Sequence, residues 1–413
     1  MSLFRAWFSR STSAAQPAPQ LPFGRFTDRD KTERQQQSFT RAVDGFERQQ
    51  YLDAYRHFFE YLRQPGSHNP TYDERRGQLH FRLQQGSQRI SGLGDARRFR
   101  ATADLAPLKN LPDGLLRELL HENYFLRHAR FAISEREQLC LVFDTPAATA
   151  SPDKLYRALS ELALRADELD DLLRQGPPPD APALPERVVA TRVRHLRTRI
   201  ERTLDELAAG KLLPDGYPGT RTFILMGLCY ELDYLTRPEG FVRQTFENLH
   251  RDYIAYGPQR AAAFNALAET ELRKILARTD AELHGEFYGT RHVFGRTEPV
   301  NREFPRNFIR AQIGAGDWFA LNGYPRVPRH VAGYLAGHLL FRYAPEAGLR
   351  TQLHRFFQVL EPDYFRELGL EVPFFRANGS ADARQLRRTF GGDAEPETAG
   401  WERRLLQLCL EGT

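Results

Sequence analysis

The chain has 413 residues, 41% hydrophobic and 27% charged, and 58 basic against 53 acidic residues leave a net charge of +5. No window approaches the ~18 uninterrupted apolar residues of a membrane span, and the apolar content is too high for a wholly disordered chain. The length is that of two to three domains of about 150 residues each.

In chain order, residues 1–22 (MSLFRAWFSRSTSAAQPAPQLP) hold no acid and are rich in Ser, Ala and Pro. Leu3, Phe4, Trp7 and Phe8 would share one face of a two-turn helix, but Arg5 breaks the apolar run, so this is no secretory signal. A disordered leader is expected over 1–29. From Asp30 to Arg63 the spacing turns helical: Phe39, Val43 and Phe46, then Tyr51, Tyr55, Phe58, Phe59 and Leu62, until Gln64-Pro65-Gly66 stops it. Strand-like runs come next at Thr71–Asp73, Gln78–Gln84, Gln88–Gly92 and Phe99–Leu105, the first two joined by Arg75-Arg76-Gly77 as a hairpin turn. Leu79, Phe81 and Leu83 alternate with His80, Arg82 and Gln84, which predicts two chemically distinct faces. Pro112-Asp113 opens a leucine-rich helix, and Arg130–Ile133 with Leu139–Phe143 forms a second hairpin. Ser151-Pro152-Asp153 starts a long helix, with serine as N-cap and proline at its first position.

The run GPPPDAPALP from Gly176 to Pro185 reads as a linker that its prolines hold extended. The chain beyond it is mainly helical in pattern. Val189, Val193, Leu196, Ile200, Leu204 and Leu207 mark one helix, and the stretch from Phe223 to Tyr230 marks a buried central one. Further helices are predicted near 241–255, 258–284, 305–320, 328–342 and 346–360, with a loop over 376–400 and a last amphipathic turn at Trp401–Leu410. The predicted class is α+β. An N-terminal antiparallel-sheet domain with flanking helices occupies 30–175, a linker 176–186, and a mainly α-helical domain 187–375. A flexible tail with a short terminal helix occupies 376–413.

The element order of residues 39–174 resembles the small α/β fold of type III secretion chaperones and of the related YbjN-like proteins. The segments that carry it are RFAISEREQLCLVFDTP at 130–146 and the leucine-rich helix SPDKLYRALSELALRADELDD at 151–171. The resemblance implies a non-enzymatic domain that binds a polypeptide, with homodimerisation common.

No catalytic, cofactor or metal signature stands out. Twelve histidines include no His-Glu-x-x-His or His-x-x-x-His pair. Cys140, Cys229 and Cys409 lie far apart among apolar neighbours, which suits free thiols of a reducing cytoplasm. Asp167 and Asp171 share a helix face like a general acid/base pair, but on the side opposite the leucines, where a solvated face is expected. The glycine-rich run from Gly86 to Gly94 lacks a phosphate-loop Gly-Lys-Ser/Thr and reads as a turn between strands. Asp317, His330 and His338 near Trp318 are the residues from which a scattered catalytic site could be drawn.

Arginine is the remaining signal. Only five basic residues are lysine (Lys31, Lys109, Lys154, Lys211, Lys274), leaving 53 arginines. A GC-rich coding sequence produces the same bias, and local acids counter most of it. Two clusters stay basic, at 75–100 and 187–202, and from them Arg82, Arg89, Arg98, Arg100, Arg192, Arg194, Arg197 and Arg199 are the candidate partner or polyanion contacts. On a helix Arg192 and Arg199 fall two turns apart, so a basic stripe is expected there. The sequence thus predicts a cytoplasmic, non-enzymatic binding protein with a protein partner and no cofactor. The alternative is a nucleic-acid-associated protein using the two arginine clusters.

Overall fold

Alternating apolar and polar residues through 71–107 and 130–146 build one sheet, and helical periodicity before, between and after these runs supplies what covers it. The computed structural model describes residues 21–173, 176–178, 181–212, 218–300, 303–376, 378–390 and 404–407.

Helices α1 (Glu33–Glu47) and α2 (Tyr51–Leu62) form a hairpin. Thr32 and Gln35 make a capping box at the start of α1, and the Gln35 amide also donates to the carbonyls of Tyr61 and Arg63 at 3.0 Å each. Strands β1 (Thr71–Arg75), β2 (Gln78–Gln85), β3 (Gln88–Gly94) and β4 (Arg98–Pro107) continue as a meander. Helix α3 (Asp113–Glu122) leads to the hairpin of β5 (Arg130–Ile133) and β6 (Gln138–Pro146), and α4 (Pro152–Leu173) closes the unit. The sheet is antiparallel throughout, in the order β1-β2-β3-β4-β6-β5.

Helices α2 and α4 cover one face of the sheet. Leu79, Phe81, Leu83, Ile90, Phe99, Leu141 and Phe143 point into that core and meet Phe58, Phe59, Leu155, Leu159 and Leu162. The other face carries Arg82, Arg89, Arg98 and Arg100, all exposed. Register places Arg82 between Thr71 and Ser91, so this open face is polar across β1, β2 and β3.

The second half is helical: α5 (Glu186–Ala208), α6 (Pro218–Thr236), α7 (Gly240–Tyr256), α8 (Ala261–Ala277) and α9 (Asp280–His284) precede a loop. Strand β7 (Glu298–Pro299), α10 (Glu303–Leu321), α11 (Val327–Arg342) and β8 (Tyr343–Ala344) come next. Helices α12 (Ala347–Leu360), α13 (Pro362–Glu367) and α14 (Ala383–Phe390) complete it, and β7 pairs in parallel with β8. Helix α6 is buried along its length from Ile224 to Thr236, as its apolar run predicts. No helix among the described residues is long and apolar enough to cross a membrane.

Three segments depart from expectation. Residues 21–29, assigned by composition to a leader, are built into the second half. The Gly24 amide donates to the Tyr234 carbonyl at 2.8 Å, and Arg25 bonds Asp233 at 2.8 Å and Glu247 at 2.6 Å while lying over the Phe341 ring. Its ionic partners stand some two hundred positions away, where local composition cannot point to them. The leader's residues 1–20 lie outside the described residues. In the tail, Leu386 and Phe390 of α14 and Leu405 are buried in one cluster with residues of α12, Phe390 stacking on Phe356, whereas 391–403 and 408–413, with Cys409, lie outside the described residues. The linker is no free spacer: the Gly289 amide donates to the Pro182 carbonyl at 2.7 Å, and a Cβ on Gly289 would stand 2.8 Å from Pro182. The two halves also share a core, since Val293 and Phe294 of the second half are buried with the sheet residues of the first.

Candidate interdomain binding cleft

Helix α4 offers its leucines to the sheet and a row of acids to the other side. That acidic side is not solvated, contrary to the expectation for Asp167 and Asp171. Helix α7 and the loop after α9 dock on it, and Asp167, Asp170 and Asp171 are all buried. Asp167 accepts from Arg296 at 2.8 Å, from Arg243 at 3.1 Å and from the Ser87 amide at 3.0 Å. Ser87 Oγ donates to Asp170 at 2.6 Å, and Arg243 pairs with Asp171 and with Glu239. Burial works to raise the Asp167 carboxyl, but Arg243 and Arg296 outweigh it and hold the group down at about 2. Removing one partner from such a buried network leaves an uncompensated charge, at a cost of about 3–5 kcal/mol.

The β2–β3 turn is shaped for this junction. Gly86 sits at φ +55°, and a Cβ there would overlap Asp167 Oδ1, so any side chain would displace the carboxylate. Gln85, beside it, clasps the loop of the second half: its Oε1 accepts the amides of Val293 at 3.1 Å and Phe294 at 3.0 Å. Its Nε2 donates to the Phe294 carbonyl at 3.1 Å and lies 3.2 Å from His292 Nδ1. Burial pushes His292 down to about 3, so the ring is neutral: Nδ1 accepts from Gln85, and Nε2–H donates to Thr290 Oγ1 at 2.9 Å. Thr290 in turn donates to Glu239 at 3.0 Å.

This docking builds a cleft. The Gly86 amide donates to the Arg291 carbonyl at 2.8 Å, which sets Arg291 beside the β2–β3 turn. Arg291 then lines a cavity of about 300 Å³ with Arg82, Arg89 and His68, while Pro178 and Pro182 of the linker form its wall. Among the described residues, no carboxylate lines this cavity, and Arg82 and Arg291 make no ion pair. A second hollow of about 410 Å³ continues from Arg82 and Thr71 over the open sheet face to His80, Ser91 and Arg75, the last paired with Asp73. Both hollows run beside β1, which has a neighbouring strand on one side only among the described residues. Like-charged guanidinium groups around a partly enclosed space set up a local positive field that a bound anion relieves.

Of the arginines that stand out in the sequence, Arg82 and Arg89 are brought together here. Arg98 and Arg100 lie further across the open face and share Asp144, at 2.6 and 3.1 Å. The cluster of α5 does not form the expected stripe. Arg192 is 1% exposed and donates to the Pro22 carbonyl, Arg194 pairs with Glu367 at 2.6 Å, and Arg197 pairs with Asp280 at 2.9 Å. Arg199 pairs with Glu231 at 2.8 Å. The acids that meet them come from α6, α9 and α13, so the neighbours of α5 in space, not in sequence, neutralise it. Sequence reasoning misses Arg243, Arg291 and Arg296. They stand apart from both clusters, two of them in a loop without periodicity, and only the tertiary fold gathers them.

The remaining candidates have separate surroundings. Asp317 pairs with Arg404, His330 lines a cavity in the second half, and His338 is buried among Tyr230, Tyr334 and Phe308. Cys140 and Cys229 are buried free thiols, both pushed up by burial. Compared with models of known protein families and with curated proteins, the chain matches none.

Proposed function

We propose that this is a non-enzymatic binding protein that takes an extended, acidic segment of a partner protein into the groove at its domain junction. One observation carries the reading: Arg82, Arg89 and Arg291 converge on a cleft that no carboxylate lines among the described residues. The adjoining edge of β1 supports it, because an extended segment can add to an unpaired strand edge while its carboxylates meet the guanidinium groups. The resemblance of residues 39–174 to polypeptide-binding chaperones points the same way. The buried free thiols suit a cytoplasmic site of action. Among the described residues, His68 is the one aromatic ring on the cleft wall. That favours a polypeptide over single-stranded nucleic acid, whose bases need stacking platforms.

The test is fluorescence anisotropy of a labelled Glu-rich peptide with the full chain, in competition with a single-stranded oligonucleotide. The peptide is expected to bind, to weaken with salt, and to lose about tenfold in affinity or more for Arg82→Glu or Arg291→Glu. Arg194→Glu, remote from the cleft, should bind as the unsubstituted protein does. Tight oligonucleotide binding without peptide binding would overturn the reading in favour of nucleic acid.

A further inference from the structure

A second constellation lies in the helical half, independent of the groove. His195 of α5, Glu231 of α6 and Glu361, between α12 and α13, each offer a ligand atom within 4.8 Å of the others. Three segments far apart in sequence therefore deliver one imidazole and two carboxylates to one point, a spacing no local motif would reveal. Each carboxylate has one oxygen engaged. Glu231 Oε1 accepts from Arg199 at 2.8 Å, and Glu361 Oε1 accepts from Arg329 at 3.2 Å with Arg199 at 3.6 Å. The second oxygen of each takes no hydrogen bond among the described residues. His195 Nε2 is buried with no partner among them, while its ring is fixed by stacking on Tyr364 at 4.1 Å.

The arginines account for the carboxylates as ion pairs, but they leave the imidazole nitrogen unexplained. A buried, unpaired polar atom costs about 1–3 kcal/mol, and here the ring brings a nitrogen within 4.8 Å of one oxygen of each carboxylate. A cation between them satisfies all three. Two carboxylates and an imidazole offer a divalent ion two oxygen donors and one nitrogen donor, and the nitrogen donor selects a borderline transition-metal ion over Mg²⁺ or Ca²⁺, which favour oxygen-only sets. Arg199 and Arg329 then serve as outer partners that orient the ligating carboxylates. Next to the site is a polar cavity of about 410 Å³ lined by Glu231, Arg199, Arg202, Arg329 and His330, which leaves room for water as a further ligand.

We infer that His195, Glu231 and Glu361 form a binding site for a single divalent transition-metal ion of the Zn²⁺ class.

The test uses the full chain without an affinity tag, stripped with a chelator and titrated with Co²⁺, followed by its visible d–d bands and displaced by Zn²⁺. One equivalent is expected to bind with the intense bands of low-coordinate Co²⁺, and Zn²⁺ should abolish them. His195→Ala and Glu231→Gln should each weaken binding by more than about tenfold while far-ultraviolet circular dichroism stays unchanged. Should either variant fail to fold, Glu361→Gln, which keeps the side-chain shape at a position less buried than Glu231, gives the same reading. A stripped protein that gives only the weak spectrum of aqueous Co²⁺ would overturn the inference. So would one equivalent that binds equally well in all folded variants.

Discussion

Asp167 is a fully buried carboxylate that accepts from three separate segments: Ser87 of the β2–β3 turn, Arg243 of α7 and Arg296 of the loop before α10. Asp167→Asn keeps the shape and removes the charge, so Arg296 and Arg243 lose a buried counter-ion. We expect a loss of about 3 kcal/mol or more in chemical denaturation; an unchanged midpoint would show that the junction does not depend on this network. The same side chains set the acid sensitivity. His292 is neutral when folded because burial pushes it down to about 3, whereas an unfolded histidine titrates near 6.5. Its contribution is complete above pH 6.5 and is lost as pH falls through that value toward 3, on the order of 2 kcal/mol by pH 5. His250 and His354, lowered by burial to about 4, and His330 and His338, lowered to about 3, work in the same direction, whereas Glu239, raised by burial to about 8, takes up a proton in the folded state and adds stability as pH falls from about 8 toward 4.5. Asp167, held low by Arg243 and Arg296 against its burial, adds its loss only below about pH 4. The His292 contribution is therefore read by difference: the change in denaturant stability between pH 7 and pH 5 should be less destabilising in His292→Gln than in the unsubstituted protein, by on the order of 2 kcal/mol. An equal change over that range in the two proteins would contradict this assignment.

At the scale of elements, periodicity is legible in the sequence and partnership is not. Leucines at 155, 159, 162 and 169 mark α4, and the alternation of Leu79, Phe81 and Leu83 marks the buried face of β2. The hydrophobic pattern reports which face meets a core. It is silent on whether the opposite face meets water or another domain, and α4 is buried on both sides. Helix α5 misleads in the same manner. Its apolar stripe is plain, but its arginines meet Glu231, Asp280 and Glu367 from elements that lie between 32 and 173 positions away. Clustering in sequence finds Arg82 and Arg89 because the β2–β3 hairpin keeps them near each other. Arg291 joins them only through the Gly86 hydrogen bond, which has no local signature.

Across the whole molecule, the proline linker divides the sequence more than it divides the structure. Val293 and Phe294 fill the core of the sheet half, Gln85 clasps their backbone, and residues 21–29 run back over the helical half. The cleft is a product of that docking: its wall takes arginines from the sheet and from the helical half, with linker prolines between them. A partner seated there would touch both halves at once. The most direct test is hydrogen–deuterium exchange of the full chain with and without saturating Glu-rich peptide. Slower exchange over 71–91 and around 289–291, with α5 and α10 unaffected, is the result expected for a segment lying along β1 and Arg291. Protection confined to the helices of the second half, with the β1 edge exchanging as before, would contradict the central claim.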